Sequence, residues 1–150
     1  MKKNIKSLIV LFVAVLLCQT VSAQNTPDGK SFESKDLVGT KWSMSKEIEG
    51  KKFHFALVFE KDSVTNTVIM DEKTTVIRYA YYLSDNFEYT YDFSNIGKDT
   101  KGIWLNMFRF DRVDNRQKYE GANMRIFTLT ETEFSFGQSP SHPMTLVREK

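Results

Sequence analysis

The segment that most constrains this chain runs from Phe53 to Glu60. Phe53, Phe55, Leu57 and Phe59 alternate with His54, Ala56, Val58 and Glu60. A strand sends successive side chains to opposite faces, so this alternation puts three aromatic rings and a leucine on one side. A helix would scatter them around its axis. The same period recurs within Thr74–Leu83, where Ile77, Tyr79, Tyr81 and Leu83 share a face. It recurs again after the turn-forming Ser84-Asp85-Asn86, in Phe87, Tyr89, Tyr91 and Phe93. Twelve Phe, six Tyr and two Trp in 150 residues supply the bulky side chains that suit a pleated, half-buried surface.

Other segments fit between these rows. Thr40–Ile48 reads as a first strand with Trp42, Met44 and Ile48 on one face, and Glu49-Gly50 as a tight hairpin turn into Lys52–Lys61. Val64–Met70, Ile103–Phe110, Asn123–Thr130, Glu133–Phe136 and Met144–Arg148 are further short strands. Ser94–Gly102, Asp111–Gly121 and Gly137–Pro143 read as loops. A single helical turn is expected over Ser34–Val38, capped by Ser34 and ended by Gly39. Eight or nine short strands with no helix of three turns mean an antiparallel sandwich or an up-and-down barrel. The short links favour a meander, and a meander of about eight strands loses its exposed edges only by closing. The expectation is an all-β, antiparallel up-and-down barrel over residues 36–150, preceded by a flexible lead over 24–35.

Residues 1–23 have the layout of a secretory signal. Lys2, Lys3 and Lys6 precede an apolar run from Leu8 to Leu17, and Val21-Ser22-Ala23 offers small residues before Gln24. Ten apolar residues are too few to span about 30 Å of hydrocarbon. Export to the periplasm or beyond is expected. A lipid anchor on Cys18 is disfavoured, because Leu17 stands where a small residue is wanted. Without the signal the chain has no cysteine, which leaves no thiol or disulfide chemistry. Its formal charge also falls from +2 to −1, which removes a net electrostatic case for nucleic acid.

The two ends of the strand region carry a family resemblance. Leu37-Val38-Gly39-Thr40-Lys41-Trp42 opens the first strand and Leu146-Val147-Arg148 closes the last. Phe53-x-Phe55 and Tyr79-x-Tyr81-x-Leu83 followed by Ser84-Asp85-Asn86 lie between them. The chain resembles the lipocalin-like (calycin) group, in particular the small exported domains of Bacteroidetes type. The resemblance implies a barrel of about eight strands with an internal cavity. It also implies structural roles for Gly39, Trp42 and Arg148: glycine and tryptophan near the closed end, with the arginine over the indole. Two residues, Thr40 and Lys41, separate the glycine from the tryptophan, where the family usually has one.

No catalytic constellation is spelled out. His54 falls on the face opposite the aromatic row, and His142 lies in a Ser/Pro loop. There is no HExxH, cysteine cluster or glycine-rich phosphate loop, and Asp111, Asp114 and Asn115 do not form a calcium-loop pattern. No enzyme activity, cofactor or metal is expected. The candidate site is the inward row, with Phe55, Leu57, Phe59, Tyr79, Tyr81, Tyr89 and Tyr91 as ligand-binding residues for a small hydrophobic or amphipathic molecule. The alternative is a barrel filled by these rings, which binds an envelope protein or polysaccharide through the loops Ser94–Gly102 and Asp111–Gly121.

Overall fold

A computed structural model of the chain describes residues 30–113 and 116–150, the stretch 110–119 as backbone only. The signal-like segment with Cys18, and the lead as far as Gly29, lie outside the described residues. Ten strands follow in order: β1 Phe32–Glu33, β2 Lys41–Ile48, β3 Lys51–Phe59, β4 Ser63–Met70, β5 Lys73–Ser84, β6 Lys101–Gly102, β7 Trp104–Val113, β8 Arg116–Leu129, β9 Glu133–Gly137 and β10 Met144–Arg148. Eight of them close an antiparallel barrel in the order β10-β2-β3-β4-β5-β7-β8-β9, and β1 and β6 form a separate two-stranded piece.

Local chemistry sets the hairpins. Glu49 and Gly50 both take positive φ, as do Asp71 and Glu72. These two-residue links match the twist of the strands they join. Gly39, at φ 76°, turns the chain from the opening 3-10 turn into β2, in a region that other residues rarely adopt.

Four expectations are corrected. The opening turn is 3-10 over Ser34–Asp36, with Glu33 at its N-cap and no side-chain cap; the Ser34 hydroxyl instead accepts the Thr100 amide at 2.9 Å. That bond and the Phe32↔Gly102 pairing tie down the end of the segment expected to be a flexible lead. Asp111–Gly121 is not a loop: β7 and β8 continue as one hairpin from Trp104↔Arg125 to Val113↔Arg116. The segment's charged sequence lacks the apolar alternation on which the strand reading rests. Finally, residues 87–93 form no strand. The chain from Asp85 to Thr100 crosses the outer face of β5, β7 and β8 as a strap, with a 3-10 turn at Phe93–Asn95.

The barrel is closed unevenly. β2-β3-β4-β5 form one continuous four-stranded unit, and β7-β8-β9-β10 form the other. The two are joined by short ladders: Ser84↔Trp104 to Ala80↔Phe108 on one side, Val147↔Ser43 and Arg148↔Trp42 on the other. Both ladders lie toward the end where Trp42 sits. Beyond them each unit continues in its own hairpins, so the barrel is seamed at one end and split into two lobes at the other.

Candidate functional site

The seamed end is packed solid. Trp42, Leu37, Leu57, Val64, Leu105, Phe134 and Leu146 are wholly buried there. Phe59 meets Tyr81 edge-on at 5.2 Å and Phe134 at 5.9 Å, and Phe134 lies 5.6 Å from Trp42 and 4.7 Å from Phe136. Polar tips are accounted for. The indole Nε1–H donates to Thr40 Oγ1 at 2.6 Å, and Thr40 in turn donates to the Leu37 carbonyl at 2.5 Å, which holds Leu37 over the barrel floor. The Arg148 guanidinium lies 5.7 Å from the Trp42 ring. Tyr81 donates its hydroxyl to the Glu60 carbonyl at 2.9 Å, and burial pushes its phenol up to about 12.

The split end is lined differently. Met44, Ile48 and Met70 come from the first lobe, and Met124 and Met144 from the second. All are half-buried and packed on the core, and Tyr79 joins them. With Met107 near the β5–β7 seam, every methionine beyond Met1 faces the interior. Unbranched thioethers are soft and conformationally adaptable, and such surfaces re-pack around ligands of different shape. At the rim, Arg109 places Nε and Nη2 at 3.0 and 2.5 Å from one oxygen of Glu120, a pair on neighbouring strands. Lys46 lies 5.7 Å from the Phe53 ring on the opposite lobe.

Among the described residues, one inward side chain has a buried polar atom with no hydrogen-bond partner. Asn66 takes an inward position on β4 between Val64 and Val68, with Leu57 and Ile77 as its cross-strand neighbours. The residue is 8 % exposed, and its Oδ1 has no hydrogen-bond partner.

The expected ligand row is therefore divided. Phe55 is inward and buried opposite Met44 and Val68, and Tyr79 is inward and half-buried, so both border the split end. Leu57, Phe59 and Tyr81 are inward but belong to the solid floor. Tyr89 and Tyr91 are corrections: both lie on the strap, outside the barrel. Tyr89 is 95 % exposed, and Tyr91 stacks on Phe108 at 4.6 Å. Phe87 and Phe93, placed in the same inward row, also sit outside, edge-on to Trp104 at 5.1 Å and to Phe108 at 5.2 Å.

The strap is pinned by polar contacts too. Tyr82 donates to the Glu88 carboxylate and accepts the Asp92 amide at 2.8 Å. Burial first, then the Glu88 carboxylate, raise its phenol well above the ordinary value. Asn123 donates to the Glu88 carbonyl, and Asn106 to Ser84 Oγ at 2.8 Å. Among the residues sequence reasoning missed, the methionines carried a readable signal, since each falls on the apolar parity of its strand. Asn66 shares the parity of Val64, Val68 and Met70, but a single asparagine on an apolar face says nothing about whether its oxygen is partnered.

Both histidines lie away from the interior. His54 Nδ1 and Ser45 Oγ are 2.8 Å apart on the outer face of β2 and β3, and His142 Nδ1 lies 3.1 Å from Ser141 Oγ in an exposed loop. Among the described residues there is no group of three His, Cys, Asp or Glu side chains able to hold a metal ion, and no helix long and apolar enough to cross a membrane. Comparison with protein-family models, curated proteins and solved structures finds no match to this chain.

Proposed function

We propose that this chain is an exported, non-enzymatic, lipocalin-like carrier that takes a small hydrophobic or amphipathic molecule between the two lobes at the split end of its barrel. The observation that carries the reading is the ring of half-buried methionines, two from each lobe, above a floor that is fully packed. A half-exposed apolar lining is costly in water, at about 25 cal/mol per Å², and a ligand that covers it recovers that free energy. The packed floor means that the ligand does not pass through. The Arg109–Glu120 pair at the rim suits the polar end of an amphiphile. The Gly39, Trp42 and Arg148 arrangement at the floor adds support for the family likeness.

The test is native mass spectrometry of protein purified from its own envelope, followed by organic extraction. A co-purifying apolar molecule, or saturable binding of 1-anilinonaphthalene-8-sulfonate to the apo protein, is the expected result. A clean apo mass with no dye bound means that the side chains themselves fill the interior. The second reading, a loop-mediated interaction with an envelope protein or polysaccharide, then takes over. The observation favouring that second reading is Tyr89, which stands almost wholly in solvent on an otherwise pinned strap.

A further inference from the structure

We infer that the ligand carries a neutral hydrogen-bond donor, as in an alcohol or a primary amide, and that Asn66 is the side chain that selects for it. The inference rests on the carrier reading above and concerns the chemistry of its ligand.

The argument starts from the cost of a buried polar atom. Asn66 Oδ1 is buried and makes no hydrogen bond. Leaving such an acceptor unsatisfied is unfavourable, and a hydrophobic residue of the same shape would fill the position without that penalty. Two other buried asparagines give the contrast. Asn106 and Asn123 also have an unpartnered Oδ1, but their amide nitrogens hold Ser84 and Glu88, so each has a structural task in seating the strap. They face outward, beneath the strap. Asn66 faces inward, and the residues beside it on β4 and directly across from it on β3 and β5 are all aliphatic: Val64, Val68, Leu57 and Ile77.

The position sets the chemistry. Asn66 lies on the lobe that also contributes Met44, Met70 and Phe55, so a ligand held by those residues has its chain against β3 and β4. An acceptor in apolar surroundings selects strongly for a donor, because an analogue without one leaves both groups unsatisfied. A primary amide also carries two N–H groups, so a ligand group that both donates and accepts, such as a hydroxyl, satisfies either orientation of the side chain. An ionised carboxylate can only accept. It would also lose its own hydration on entering this apolar interior, at a cost that a single side-chain amide does not offset.

The experiment is displacement of 1-anilinonaphthalene-8-sulfonate from the full-length mature chain by 1-decanol and by methyl decanoate. The two are similar in chain length, but only the alcohol donates. Wild type and Asn66→Leu are compared, with Asn66→Val as a second variant if the first does not fold. The expected result is that decanol displaces the dye from wild type at a roughly tenfold lower concentration than the ester, the worth of one buried hydrogen bond. In the variant the gap closes, because decanol weakens while the ester does not. Equal displacement by the two compounds in wild type, or a gap that survives in the variant, overturns the role of Asn66 and leaves the carrier reading standing. Failure of the dye and both compounds to bind removes the carrier reading and this inference with it.

Discussion

Truncation of Trp42 tests whether the seamed end is the foundation of the barrel. The indole is wholly buried, donates to Thr40 Oγ1, and contacts Phe134 at 5.6 Å. Removing a buried Trp side chain costs about 3–5 kcal/mol, through lost transfer free energy and the cavity left behind. The upper half of that range applies here. Leu37 and Phe134 are themselves locked by the Thr40 bond and by the aromatic cluster, so the site collapses poorly. Thr40 also loses the donor that fixes its hydroxyl. Urea denaturation of wild type and Trp42→Ala at one pH measures the difference, and a drop of about 4 kcal/mol is expected. Arg148→Ala should cost far less by itself, because Arg148 is exposed. The double variant then isolates the stacking of guanidinium on indole. At an exposed site that coupling is about 0.5–1 kcal/mol. A loss below about 1 kcal/mol for Trp42→Ala would refute the account of the floor. Zero coupling in the cycle would refute the stacking alone and leave the packing argument intact.

Two further outcomes follow from the strap and the buried phenols. Gly121→Ala should release the strap, since a methyl group there would overlap both the Tyr91 hydroxyl and the fixed Met107 carbonyl. A destabilisation of about 1–3 kcal/mol is expected, together with loss of near-UV ellipticity from the stacked Tyr91 and Phe108 rings; an unchanged spectrum would show that Tyr91 does not sit there. Alkaline pH should unfold the protein, because burial raises the Tyr81, Tyr82 and Tyr91 phenols. A phenol whose folded pKa exceeds its unfolded value contributes fully below pH ~10, and Tyr81 loses its share as pH climbs toward about 12. Absorbance of phenolate and circular dichroism, followed together, should therefore show a late tyrosine phase that coincides with unfolding. Complete ionisation while the protein stays folded would contradict the burial.

The fold was legible because the alternation at Phe53–Phe59 and Ile77–Leu83 leaves a sheet no other way to hide its rings, and the short turns leave a meander no other way to hide its edges. The strap was not legible from Phe87, Tyr89, Tyr91 and Phe93 alone. A period of two is also produced by an irregular segment that lays alternate rings on a surface, and here Phe87, Tyr91 and Phe93 meet Trp104 and Phe108 while Tyr89 points away. The deciding signal lay in other strands. A barrel strand with one wet face alternates apolar and polar side chains. Tyr81-Tyr82-Leu83 and Met107-Phe108 break that rule, with large buried apolar side chains on both faces. Inward Tyr81 and Met107 belong to the core, so outward Tyr82 and Phe108 require a second cover. The only long aromatic segment between those strands in sequence is the one that supplies it. Doubly apolar strands within an otherwise alternating barrel thus mark the place where a connection is folded back over the wall. The same reasoning separates the two kinds of aromatic in this chain: those that build the floor beneath a ligand, and those that hold the strap in place.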